Sequence, residues 1–117
     1  VNAAAIVADA LFLRDAWRAA VPGIQIVFCL TFNANNEFSH WEGTGFVYDR
    51  WTWRQNRHEF IMQLCAAMYG LPDTRVVSTH ACIANADIAD TVHPNSIGHG
   101  KVKDEFFPTL REIARAA

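Results

Sequence analysis

The sequence contains no CxxC pair, no excess of basic charge and no apolar run near the roughly 20 residues that a membrane span needs. The first absence removes the spacing that thiolate zinc sites and dithiol redox centres use. Cys29, Cys65 and Cys82 are odd in number, widely spaced and set in apolar stretches, so they read as buried thiols that point to no redox compartment. A formal net charge of −2 supplies no field for nucleic acid or an anionic membrane surface. The opening "VNAAAIVADALFLRDAW" places Asp and Arg inside its apolar pattern, unlike a signal peptide, and it begins on Val in mid-pattern, as a processed product or fragment would. Serine is scarce as well: only Ser39, Ser78 and Ser96 occur. Nothing in the residues calls for a cofactor or a metal.

What is present suits one globular domain. Of the 117 residues 51% are hydrophobic and 19% charged, enough apolar surface for a core and too much for a disordered tail. Ile6, Val7, Ala10, Leu11, Leu13, Trp17 and Ala20 recur at helical spacing and predict an amphipathic helix over 3–20, stopped by "VPG". "IQIVFCLTF", residues 24–32, reads as a strand covered on both faces, and "TRVVSTHACI" as a second strand. Between them, "HEFIMQLCAAMY" predicts a helix over about 58–69, ended by Gly70 in a left-handed conformation. A last helix is expected over 101–116, with Phe106, Leu110 and Ile113 facing inward. Helices alternating with apolar strands imply an α/β fold with a parallel sheet and helices on both of its faces. Ligands of such sheets gather beyond the strands' carboxyl ends, which places the loops 33–57 and 84–98 on one rim.

The second of these loops carries titratable residues at a useful spacing. Asp90, His93, Pro94, Asn95, Gly98 and His99 stand as D-x-x-H-P-N-x-x-G-H. With this composition a bare D-x-x-H is expected by chance about 0.3 times, and with Pro after the His about 0.01 times. Three residues apart on a turn, a carboxylate and an imidazole can reach each other. The carboxylate then fixes the tautomer while the other ring nitrogen takes a proton from a hydroxyl. Pro94 holds the His93 backbone extended. In the alternative, Asp90 caps a turn and His93 packs under the last helix. Gly98 and His99 read as structural, Gly98 for close helix approach or a positive backbone angle and His99 as a helix-start or packing residue. A metal centre drawn from Asp90, His93, His99 and His80 matches no defensible zinc spacing, and His80 reads as a core histidine.

This stretch resembles the last block of the SGNH hydrolases, the GDSL esterase and lipase family, in which the Asp and His of a D-x-x-H block complete a Ser-His-Asp triad just before the C-terminal helix. The resemblance implies a three-layer α/β/α flavodoxin-like fold, of which residues 1–117 would form the C-terminal portion. It also implies catalytic roles for Asp90 and His93. The family's Gly-Asp-Ser motif and its Gly-x-Asn motif do not occur here. Ser96, on the same turn as His93, is poorly set for in-line attack while Asp90 holds the other ring nitrogen. The nucleophile is therefore expected from the N-terminal half of the same domain or from a companion chain, and "IQIVFCLTF" is expected to pair with a strand from outside this chain.

Residues 33–57 read as a long aromatic loop. Trp41, Tyr48, Trp51 and Trp53, beside Asn33, Asn35, Asn36, Arg50 and Arg54, combine flat apolar faces with hydrogen-bonding groups and are the candidate substrate-binding residues. Alternatively, Trp51 and Trp53 cover a small core. The mixture favours an acylated carbohydrate over a lipid chain. Two functions follow. One is an ester hydrolase, a carbohydrate O-acetylesterase or deacetylase of the kind found among the family's secreted and phage-tail members. The other is an inactive carbohydrate-binding or structural module of a virion or cell surface.

Overall fold

The computed structural model describes residues 2–35 and 50–116. The chain is mixed α/β: α1 (Ala3–Ala20), β1 (Val27–Leu30), α2 (Arg50–Tyr69), β2 (Arg75–Ser78), a 3-10 turn (Asn85–Asp87) and α3 (Ser96–Ala116) follow in order. The two strands pair in parallel, with Val27 opposite Arg75 and Leu30 opposite Ser78. Parallel pairing needs a crossover, and the segment containing α2 supplies it.

Local chemistry sets the ends of α1. Asn2 precedes it, and its side-chain Oδ1 accepts the Ala5 N–H at 2.8 Å, satisfying one orphan donor of the first turn. At the other end Pro22 cannot continue the ladder, and Gly23 adopts φ 84°, open to glycine at little cost. The expected left-handed stop at Gly70 is not found. Among the described residues Asp73, with φ 55°, is the non-glycine residue with positive φ, in the "LPDT" turn after α2.

Ala10 of α1, Leu30 of β1, and Leu64 and Met68 of α2 form the buried cluster, flanked by Ile6, Val7, Phe28, Phe60 and Val76. Burial of each large apolar side chain there contributes about 1.5–3 kcal/mol. Strand alternation assigns Phe28, Leu30 and Val76 to the face under α1 and α2. The opposite face carries Arg75 and the buried Val77. α3 packs against β2, and its Glu112 pairs with Arg75 at 3.3 Å. Helices thus lie on both faces of β2. Cys29, paired in register with Val77, is exposed.

Several expected boundaries shift. Each strand spans four residues, so the flanks "IQI" and "THACI" lie outside the ladder, although Thr79 still donates its backbone N–H and its hydroxyl to the Leu30 carbonyl. α2 begins at Arg50, so residues 50–57 belong to a helix and not to a loop. α3 begins at Ser96, five residues before the expected start. Leu13 and Trp17 of α1, expected to face the core, are 51% and 55% exposed, and Leu110 of α3 is 51% exposed. No described helix is long and apolar enough to cross a membrane.

Candidate active site

The loop from Ala84 to Asn95 is closed by its own backbone before any side chain acts. Ile88 and Pro94 form an antiparallel bridge, the Ala89 N–H donates to the His93 carbonyl at 2.7 Å, and the Asn95 N–H donates to the Asp87 carbonyl at 2.8 Å. Asp90 and His93 stand at the far end of this small closed loop. Pro94, directly after His93, fixes the strand-like exit.

Asn95 joins the loop to α3. Its Oδ1 accepts the Gly98 N–H at 2.9 Å, which is N-cap geometry, and its Nδ2 donates to the Ala86 carbonyl at 2.8 Å. Gly98 is buried, and a Cβ there would collide with the Asp87 carbonyl oxygen and stand 2.9 Å from Pro94 Cβ. The glycine is needed for close approach, as expected, and not for a positive φ. His99 is exposed, and its backbone N–H makes a first helical bond to the Asn95 carbonyl at 2.9 Å.

Asp87 is a residue that sequence reasoning passed over. It is 4% exposed, and its Oδ2 accepts the Ala84 N–H at 2.9 Å and Lys101 Nζ at 2.6 Å. The Lys101 hydrogen bond, then the Ala84 amide, holds its carboxyl below the usual carboxylate range. One side chain thereby ties the 3-10 turn to the second turn of α3. The acidic residue three positions after Ala84 and the lysine on the following helix were the available signals, but neither has a spacing that marks a burial.

Asp90 makes three bonds. Oδ1 accepts the His93 N–H at 2.8 Å and the Val92 N–H at 2.9 Å, and Oδ2 lies 2.7 Å from His93 Nδ1. The two backbone amides, and after them the imidazole, lower the Asp90 carboxyl to a pKa of about 2. An ionised carboxylate accepts only, so the Nδ1–H donates to it, and in the neutral ring this leaves the lone pair on Nε2. The His93 side chain is 76% exposed and does not pack under the last helix. Among the described residues Asp90 is the side-chain hydrogen-bond partner of His93. Ser78 lies 3.4 Å from Cys65 Sγ, and Ser96 opens α3. Ser39 lies outside the described residues.

The loop after β1 meets this structure directly. The buried Asn35 donates its backbone N–H to the Thr91 carbonyl at 2.9 Å and its side-chain Nδ2 to the Asn85 carbonyl at 3.3 Å. The two loops therefore share one rim at the strands' carboxyl ends. A cavity of about 670 Å³ opens there, walled by Asn33 and Ala34 after β1, His58 of α2, His80 after β2, and Ile88. The His58 and His80 rings are 4.8 Å apart between centroids and tilted by 45°. His80 is not a strand core residue, since β2 ends at Ser78.

Of the aromatic candidates, Trp51 and Trp53 stand in the first turn of α2, in place of the expected loop. Their side chains, and Trp41 and Tyr48 entirely, lie outside the described residues. Among the described residues no three His, Cys, Asp or Glu side chains converge as metal ligands. Comparison with protein-family models, with curated proteins and with solved structures finds no match.

Proposed function

We propose that Asp90 and His93 are the orienting acid and the general base of a serine ester hydrolase of the SGNH kind, acting on O-acetylated carbohydrate. The observation that carries this is the 2.7 Å contact between His93 Nδ1 and an Asp90 carboxylate already fixed by two backbone amides. A carboxylate that needed only to cap a turn would not require the exposed imidazole. Here it caps the turn and holds the ring as well. The parallel pair, the helices on both faces of β2 and the position of the dyad just before α3 support the flavodoxin-like three-layer arrangement.

In the reaction His93 Nε2 accepts the hydroxyl proton as Ser Oγ bonds to the acyl carbon, and the carbonyl π pair moves to oxygen. The Nδ1–H to Asp90 bond stabilises the imidazolium. Collapse of the tetrahedral adduct expels the sugar alkoxide, which takes the proton from Nε2. Water, deprotonated by the same nitrogen, then releases acetate and restores the serine. The serine comes from the N-terminal half of the domain or a companion chain, and the setting is secreted or virion-associated. Within 117 residues alone, the dyad is inert.

The test is hydrolysis of p-nitrophenyl acetate, and labelling by a fluorophosphonate, using this chain together with its companion segment. His93→Ala lowers the rate by about 10²–10⁴-fold. Full activity in that variant would sink the proposal. Absence of any labelled serine with the companion segment present would favour the inactive carbohydrate-binding or structural module.

A further inference from the structure

We infer that copies of this chain associate head to tail, with the outer stripe of α1 on one copy laid antiparallel against the outer stripe of α3 on the next. Helical spacing sets each stripe. On α1, Asp9, Leu13, Ala16, Trp17 and Ala20 share one flank and are all exposed. On α3, Gly100, Lys103, Asp104, Phe107 and Arg111 share another, and all but Gly100 are exposed. Solvent-facing flanks are ordinarily polar, yet Leu13 is 51% exposed and Trp17 and Phe107 are each 55% exposed.

Spacing and charge make the two stripes complementary. Read backwards, the α3 stripe repeats the α1 stripe step for step, and each spans about 16 Å of helix. Antiparallel alignment therefore sets Asp9 opposite Arg111, Leu13 opposite Phe107, Trp17 opposite Lys103 and Asp104, and Ala20 opposite Gly100. Parallel alignment would leave Leu13 against Asp104 and neither end charge paired. The cations of α1 are turned onto its own chain, Arg14 to Asp15 and Thr74 and Arg18 to Asp73, which leaves Asp9 as the charge of the outer stripe. On α3 Lys103 is held by Asp104 at 3.4 Å, and Arg111 lies over the Phe107 ring, 5.2 Å from its centroid. Among the described residues neither Asp9 nor Arg111 has an ion-pair partner.

Shape agrees with charge. An open apolar cleft lined by Ala16, Trp17 and Ala20 runs along α1, and it faces the Gly100 end of α3 in this alignment. A Cβ at Gly100 would meet nothing within 4 Å, so that turn is open to close approach. The stripes cannot meet within one molecule, because α1 packs on one face of the parallel pair and α3 on the other. The contact is heterologous, so it closes a ring or extends a filament and does not stop at a two-fold dimer. One helix pair is a small interface, and association is weak and concentration-dependent. None of this depends on the hydrolase reading.

The experiment is light scattering of the full chain across a concentration series. Mass should rise with concentration past that of a dimer. Leu13→Asp and Phe107→Asp, both at half-exposed positions and checked for folding by circular dichroism, should each be monomeric alone, and their equimolar mixture should form a dimer and nothing larger. Asp9→Arg and Arg111→Asp should each weaken association by about tenfold, and the two together in one chain should recover it. A chain that stays monomeric at every concentration would overturn the inference. So would a Phe107→Asp variant that assembles like wild type, since α1 would then be pairing with itself. Failure of the doubly charge-reversed chain to recover would overturn the Asp9 to Arg111 pairing and the alignment built on it.

Discussion

Asp90 serves the backbone and the imidazole with different oxygens, which is why a three-residue spacing suffices. Oδ1 closes the turn over Val92 and His93, and that closure brings the His93 ring to Oδ2. The dyad was legible in the sequence because both interactions are local and polar. Which residues anchor it was less legible, since Asp87 reaches Lys101 across fourteen positions with no periodic signature. The carboxyl of Asp90 ionises at about 2 in the folded chain against 3.8 unperturbed, a depressed value. Its contribution to stability is therefore complete above pH 3.8 and lost as pH falls through about 2. A carboxyl-carbon NMR titration should find Asp90 still ionised at pH 3, and a midpoint near 4 would contradict the geometry. Asp90→Asn removes the acceptor that sets the tautomer and should lower ester hydrolysis by about 10²–10⁴-fold with the fold intact by circular dichroism.

At the scale of elements, the α3 start is where polar capping overrode propensity. "SIGHG" holds two glycines and reads as loop, yet Asn95 caps it and Gly98 lets the first turn sit against the Asp87 carbonyl. Gly98→Ala should cost about 1–3 kcal/mol, because a backbone oxygen cannot move aside as a flexible side chain can. Asn95→Ala, which loses the cap and the bond to Ala86, should cost about 1–2 kcal/mol. Urea unfolding measures both, and a Gly98→Ala midpoint equal to wild type would show that the approach is not tight. The extent of α1 was legible from its spacing and its stop, although Leu13 and Trp17 of that pattern turn outward and the Asn2 cap was not read. The start of α2 was not, because "RWTWRQNR" has no apolar period at helical spacing. The strands were read too long because the hydrophobicity of "IQI" and "THACI" continues past the ladder, and apolar character alone does not mark where pairing ends.

At the scale of the molecule, the two strands among the described residues form one parallel pair, with helices on both faces of β2. Among the described residues β1 has β2 as its ladder partner, Cys29 is exposed, and α1 turns Phe12, Leu13 and Trp17 outward. A strand from outside the chain along the other edge of β1 is the proposed completion. The β1 amides that point away from β2 should exchange with deuterium rapidly in the chain alone and become protected with its companion. A stable, soluble monomer with a two-state melt and those amides already protected would count against that strand. Ile61→Ala, at a position 1% exposed, should cost about 2–5 kcal/mol in either state.

The self-closure of the segment from Ala84 to Lys101 has a kinetic consequence. Its bonds join residues two to fourteen positions apart, whereas the Thr79 to Leu30 contact spans forty-nine. Closing a short loop sacrifices less chain entropy than bringing β1 to β2, and contacts of low sequence separation form first. The Asp90 and His93 pair is in this sense ordered ahead of the sheet that carries it, a geometry that folding delivers early and the long-range pairing only has to position.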